Sequence, residues 1–470
     1  MADKLFQFED DDLLLGTDET AGTSRSASAR AFTRLNRRTA GFVVAAAVFA
    51  PIPVGLNRPS AWLIFGACVA VWSLGYLLLA MRHDPERELR STLHPWLFGL
   101  AALVPIWALL QAVPFGAIVP WAEQTALSIV PSASAMGALR FCIYILFAFL
   151  VLEVANRSDR ARWVGWLLFW GVVVHAMWGL FALNVLGDTH FWGEKTAYVG
   201  VATGTFINRN SFATFLAMGV CLGLALLMDR ATDPKVRVLN NGPFAQRKLE
   251  AAVILMAIAL VWVALLATSS RLGVAAGAIG SFVVYMAMQL KLGKNLLRAA
   301  ALPIGVGVVI LGVLLVSVGQ GLAIRSIFVG GDAGLRLLAY GFTAELIAAR
   351  PIAGTGMDTF RVAFEPIHRM PLELSHFWDR AHSTYLTHWS ELGVIVGTVP
   401  IVIGVLAARR LIDVIRRRSK DYALSIAGLG VLITGAVHSL GDFSLEMPAN
   451  VVMFVAIICL GIAHRAQGNR

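Results

Sequence analysis

Ala264-Leu265-Leu266-Ala267-Thr268-Ser269-Ser270-Arg271-Leu272-Gly273-Val274 joins two apolar runs through only three residues. Residues 251–267 upstream and 272–290 downstream carry no charge at all. A bilayer core of ~30 Å needs about 20 helical residues, so each run is long enough to cross. Thr268, Ser269 and Ser270 are too few for anything but a tight turn, which makes the two runs an antiparallel helical hairpin. Gly273 and Gly277, one turn apart, open one face of the second helix to close approach by another backbone. Two spanning helices in tandem set the class: an all-α polytopic membrane protein.

The same ruler, moved outward, finds about twelve transmembrane helices. They lie near 40–57, 60–81, 94–113, 138–155, 161–185, 210–228, 250–267, 271–290, 299–318, 384–408, 422–440 and 449–464. Pro51 and Pro53 make the first the least regular. The chain thus divides into a tail (1–38), transmembrane helices 1–9 (39–318), a long loop (319–383), and helices 10–12 with the C-terminus (384–470). Composition agrees: of 470 residues 57% are hydrophobic and 14% charged, with mean hydropathy +0.71, unlike a soluble domain. The tail holds seven acids before residue 25 against Lys4, which reads as disordered and cytoplasmic rather than as a signal peptide. Cys68, Cys142, Cys221 and Cys459 all fall in apolar runs and read as small buried hydrophobes, not metal or redox ligands.

The net charge of +10 sits mostly in alternate short connections: Arg25–Arg38, Arg82–Arg90, Arg157–Arg162, Arg230–Lys248, Lys291–Arg298 and Arg409–Lys420. That is membrane topology, not a nucleic-acid surface. Basic loops stay cytoplasmic, so both termini are expected inside and the long loop outside. The bare connections 114–137 and 441–450 fall on the outer side. Outside the long loop, the outer side then carries only Arg58, Arg140, Lys195, Arg209 and Arg271. For Arg58, Arg140 and Lys195 the sequence offers only snorkelling to headgroups.

Arg209 and Arg271 ask for more. In Asn208-Arg209-Asn210-Ser211 the polar run puts Asn210 or Ser211 at a helix N-cap with Arg209 just before it. Ser270-Arg271 repeats the arrangement at the eighth span. A cation at a helix start opposes the dipole at a cost of about 0.3–1 kcal/mol, whereas a bound anion there is favoured. Either a phosphate or a salt bridge to Asp332 or Glu345 would offset that cost. The loop holds six arginines (Arg325, Arg336, Arg350, Arg361, Arg369, Arg380) and three histidines (His368, His376, His382). Within it, Leu335, Leu338, Phe342, Leu346 and Ala349 form an amphipathic stripe that Pro351 ends, and that helix is expected on the membrane surface. Gly354 and Gly356 permit a sharp turn or close approach to a ligand. His382 precedes the tenth span, with Tyr385, His388 and Glu391 following at helical spacing, and its ordinary pKa of about 6.5 suits proton transfer. His438, Asp442 and Glu446 are either a second polar wall or a satisfied turn.

On these residues the chain resembles the O-antigen ligase and polymerase superfamily of bacterial membrane glycosyltransferases. The likeness spans roughly 200–450. It rests on Gly204–Asn210, Ser270-Arg271-Leu272-Gly273, Arg336, Pro351–Gly354–Gly356–Phe360, Ala381-His382-Ser383-Thr384-Tyr385-Leu386 and Glu391-Leu392-Gly393. Ser383 stands where the family often has Asn. His438-Ser439-Leu440-Gly441-Asp442-Phe443 with Pro448-Ala449-Asn450 looks more like the exopolysaccharide polymerases than the lipid A-core ligases. The resemblance implies transfer of an undecaprenyl-diphosphate-linked glycan to an acceptor glycan or lipid A core, at the periplasmic face of the inner membrane. It implies His382, Arg271 and Arg209 as catalytic residues. Asn208, Asn210, Ser270, Arg336, Gly354, Gly356, Tyr385, Glu391, His438 and Asp442 would bind substrate. No cofactor or metal is called for, and partners besides membrane lipids would include a flippase and chain-length proteins. A transporter of bicarbonate or of a glycan is the competitor from another class, and a scaffold of a glycan-assembly complex a third. Transporters gather ionisable groups at the bilayer midplane, where the sequence places His175 and little else.

Overall fold

The computed structural model describes residues 19–83, 89–115, 126–155, 157–232, 244–295, 297–298, 300–301, 322–370, 372 and 378–463, with backbone alone at 19–27, 90, 232, 244–247 and 322–333. In chain order these form α1 Glu19–Phe49, α2 Pro59–His83, α3 Pro95–Ala112, α4 Pro131–Val154, α5 Ser158–Asn184, α6 Arg209–Thr232 and α7 Phe244–Ala267. Then follow α8 Arg271–Lys291, α9 Leu322–Ala349, α10 Phe360–Phe364, α11 Thr384–Gly397, α12 Val399–Arg417, α13 Ala423–His438 and α14 Pro448–Ile462. The one sheet among the described residues is a hairpin of β1 Thr189–His190 and β2 Gly193–Glu194. Helices α2 to α8 are each long and apolar enough to cross a membrane, α11 and α12 together make an eighth such unit, and α13 and α14 are shorter apolar helices. The chain is a multi-pass all-α membrane protein.

Three sequence expectations shift. Helix α1 begins at Glu19, inside the stretch read as disordered tail, because residues 21–38 are rich in helix-forming Ala and Arg. It stops at Phe49, before Pro51 and Pro53, rather than running to 57, and a single 3-10 turn, Val54–Leu56, follows. The span expected near 299–318 and His376 of the loop lie outside the described residues, apart from positions 300–301.

The third shift bears on the site. The tenth span, read as one helix over 384–408, is broken: α11 and α12 meet at 70°. Gly393 sits at φ 75°, ψ 164°, outside helical space, so the backbone groups around it lose their helical partners. The Pro351–Gly356 turn supplies new ones. Val394 N–H donates to the Pro351 carbonyl (2.7 Å), Thr355 N–H to Ser390 (2.9 Å) and Gly356 N–H to Glu391 (2.9 Å). The Gln111 amide donates to the Ala353 and Glu391 carbonyls at 2.6 and 2.8 Å. Irregular backbone at membrane depth survives only when protein satisfies it in this way. Gly354, at φ 66°, is required because a Cβ would lie 2.2 Å from the Glu391 carbonyl oxygen.

Helix α9 lies against this turn's continuation. Ala339, Phe342, Phe360, Phe364, Leu372 and Ala381 form a small core of their own, separate from that of the bundle. The expected stripe holds at Leu335, Phe342 and Leu346, but Ala339 replaces Leu338 as the inward position, and Leu338 is exposed.

Gly354→Ala should therefore lower the thermal unfolding midpoint of the purified protein, since a left-handed non-glycine residue alone costs about 1–2 kcal/mol and the carbonyl overlap adds to it. Gly341→Ala, in open space on α9, should hold or raise the midpoint. Equal midpoints for the two variants would refute the docked-turn account.

Candidate functional site

Two helix starts are built alike. Ser270 caps α8, its hydroxyl accepting from Gly273 N–H at 3.3 Å, and Arg271 is the first helical residue. Asn208 plays the same part for α6, its side chain accepting from Asn210 N–H at 2.7 Å. The cap expected at Asn210 or Ser211 is thus Asn208, and Arg209 lies within the first turn rather than before it. Small residues set the two ends side by side: a Cβ on Gly273 would meet Ala213 at 2.6 Å, and one on Gly277 would meet Ala217 at 3.1 Å. Arg271 is exposed and has no ion pair among the described residues. Of its two candidate acids, Glu345 binds Arg369 at 2.8 Å instead, and the side chain of Asp332 is not among those described. Arg209 lies over the Tyr198 ring, 5.7 Å from its centroid, again without an ion pair among the described residues.

Both helix starts lean on the turn from His438 to Glu446. Asn210 donates to Asp442 Oδ2 at 2.6 Å, and Thr214 meets His438 Nδ1 at 3.1 Å. Ser444 also donates to Asp442, and His438 Nδ1 stands 3.9 Å from its other oxygen. A Cβ on Gly441 would meet Leu272, next to Arg271, at 3.1 Å. From α9, Arg336 Nη1 donates to the Gly441 carbonyl at 3.1 Å.

His382 completes the ring. Its imidazole stands edge-on between Trp378 and Phe443, centroids 5.4 and 5.1 Å away. Its backbone is left-handed, φ 53°, a conformation uncommon outside glycine. Tyr340 OH donates to its carbonyl at 2.9 Å. Burial raises the Tyr340 hydroxyl above its ordinary pKa, against the nearby Arg336. The sequence-predicted residues Arg209, Asn208, Asn210, Ser270, Arg271, Arg336, His382, His438 and Asp442 are therefore neighbours at one end of the bundle. Gly354, Gly356 and Glu391 belong instead to the docked turn. Glu391 is buried and accepts from Asp358 N–H and Phe360 N–H, both at 2.9 Å. Tyr385 spends its hydroxyl on the Ala436 carbonyl at 2.9 Å.

Sequence reasoning missed a chain of partly buried ion pairs. Arg140 donates to both oxygens of Asp358, correcting the expectation that it snorkels. Lys195 likewise pairs with Asp188 rather than with headgroups. Arg380 bridges Glu446, at 3.2 Å, and Asp358, at 4.0 Å. Burial, reinforced by Asp358 and Asp442, pushes the Glu446 carboxyl up to about 7 against the pull of Arg380. These groups top a largely apolar cavity of about 550 Å³ between α3, α4, α11, α12, α13 and α14. The signal for Arg140 was its position as the lone basic residue beside an outer connection without Lys or Arg. Nothing in the spacing named Asp358 as its partner. Deeper in the bundle, His175 is spent on the Val48 carbonyl at 2.8 Å. Among the described residues no three His, Cys, Asp or Glu side chains converge as metal ligands.

The fold and this cluster define a class: a multi-pass helical membrane protein with cations, imidazoles and hydroxyls gathered where the long loop meets the bundle. Residues 254–401, from within α7 to the start of α12, match the family described as O-antigen ligase, which supports the ligase and polymerase superfamily that the motifs resemble. The match takes in Arg271, Arg336 and His382 but not Arg209, Asn210, His438 or Asp442. No curated protein matches the chain.

Titration of the Glu446 carboxyl should be visible by infrared spectroscopy. Infrared difference spectra between pH 6 and pH 8 should show a protonated carboxyl band lost as pH rises, and Glu446→Gln should lack one component of it. A spectrum without that band, or one unchanged by the substitution, would place the titration elsewhere.

Proposed function

We propose that the chain is a membrane glycosyltransferase of the O-antigen ligase and polymerase type, taking its glycan from undecaprenyl diphosphate at the periplasmic face of the bacterial inner membrane. The observation that carries this reading is the pair Arg209 and Arg271. Each is the first residue of a capped helix, the two helices start side by side, and neither arginine has an ion pair among the described residues. Two cations at two helix N-termini suit a ligand with two phosphates.

In the proposed reaction an acceptor sugar hydroxyl attacks the anomeric carbon of the donor glycan. The bond from that carbon to the diphosphate oxygen breaks, and undecaprenyl diphosphate leaves with the electron pair. Arg271, Arg209 and the helix N–H groups stabilise the charge that develops on the leaving oxygen. His382 accepts the proton of the attacking hydroxyl. The alternation of basic loops places both termini in the cytoplasm and this end of the bundle outside. Another lipid-linked glycan is favoured as acceptor, because the 438–450 turn resembles the polymerase branch and lies at the centre of the site. A lipid A-core acceptor would make the chain a ligase instead. The transporter reading is weakened by His175, whose ring is committed to a backbone carbonyl.

Arg271→Lys keeps the charge and loses the planar fork that grips phosphate oxygens. A lost charge-assisted hydrogen bond is worth about 1.5–3 kcal/mol, so transfer should fall by about one to two orders of magnitude while the protein still accumulates in the membrane. Wild-type transfer by the lysine variant would reduce Arg271 to a general cation and remove the diphosphate assignment.

A further inference from the structure

We infer that Arg380 is a positioning residue for His382: held between Glu446 and Asp358, it fixes the segment that presents the His382 ring between Trp378 and Phe443. This rests on the reading of His382 as the acceptor base.

The left-handed backbone at His382 persists only if both sides of it are tied down. After it the ties are plain. Ser383 Oγ and Thr384 N–H both donate to the Ser439 carbonyl at 3.2 Å, and Thr384 Oγ1 donates to the Asp442 carbonyl at 3.3 Å. Before it, Ala381 is fully buried but has no side chain that can reach across, and Arg380 makes the crossing. Its guanidinium reaches Glu446 at 3.2 Å. Glu446 belongs to the same turn that carries Ser439, Asp442 and Phe443, so one rigid element holds the histidine from both directions. Asp358, 4.0 Å away, is itself fixed by Arg140 of α4 and by its N–H bond to Glu391 of α11. The carboxylate that Arg380 meets is thus anchored to the bundle.

Burying these charges gains little stability over apolar packing, because desolvation offsets the attraction. What an ion pair adds is direction: a guanidinium between two carboxylates has few positions it can occupy. An apolar residue at 380 would pack equally well and leave His382 free to relax to a right-handed backbone, which would turn its ring out from between Trp378 and Phe443.

The test uses the full chain in nanodiscs, with transfer measured from the lipid-diphosphate donor pool of the cells that carry it. Arg380→Gln should lower kcat by about 10- to 100-fold with donor KM changed less than about twofold. Arg380→Lys, still able to reach Glu446, should recover most of the loss. Glu446→Ala removes the same tie from the other side and should lower kcat likewise, which keeps the test alive if Arg380→Gln does not accumulate. In a His382→Ala background, Arg380→Gln should cause no further loss, whereas a merely structural role would lower the residual rate again. Wild-type kcat in Arg380→Gln or Glu446→Ala, or a loss confined to KM, overturns the inference. If His382→Ala itself keeps wild-type kcat, the reading of His382 as base fails instead, whatever the arginine variants do.

Discussion

The hydrogen bond from Asn210 to Asp442, at 2.6 Å, ties the start of α6 to the turn between α13 and α14, and the site is arranged about that turn. A nine-residue segment, His438 to Glu446, touches every part that matters: α6 through Asn210 and Thr214, α8 through Leu272, α9 through Arg336, and the end of the loop through Ser383, Thr384 and Arg380. Such a turn must satisfy its own backbone in a largely apolar setting, and the side chains of Arg336, Ser383, Thr384 and Asn450 donate to its carbonyls. The consequence is preorganisation. Groups far apart in sequence are held by one element, so their relative positions do not depend on loop flexibility.

The broken helix is the second constraint. Gly393 interrupts α11 and leaves backbone groups that the Pro351–Gly356 turn and the Gln111 amide satisfy. That docking brings the long loop back into the bundle and delivers Asp358 to Arg140 and Arg380. Fold and site are therefore linked through a handful of glycines and carbonyls.

Much of this was legible in the sequence, and the reasons it stopped where it did are physical. Apolar length gave the spans from α2 to α8, because twenty uncharged residues have few alternatives to a bilayer. The arginines at 209 and 271 stood out because a cation at a helix N-terminus is unfavourable without a partner. Gly354 and Gly356 permit either a sharp turn or the approach of a ligand, since φ freedom alone does not choose between them; at Gly354 the Glu391 carbonyl approaches, and at Gly356 the Ser128 hydroxyl. The kink at Gly393 was missed because a single glycine in an apolar run costs a helix little, and only its contact with Pro351 makes the break stable. The ion pairs Arg140–Asp358 and Arg380–Glu446 join residues 218 and 66 positions apart, and no periodicity connects them.

The central claim is that this end of the bundle breaks a glycan–diphosphate bond. It is tested most directly by reconstituting the purified protein in sealed vesicles with a lipid-linked glycan labelled in the sugar, and following both the label and the lipid. The account predicts that label moves to an acceptor glycan while free undecaprenyl diphosphate appears in equal amount, and that no label crosses the bilayer. Label crossing the membrane still attached to its lipid, with no diphosphate released, would contradict it and establish a transporter.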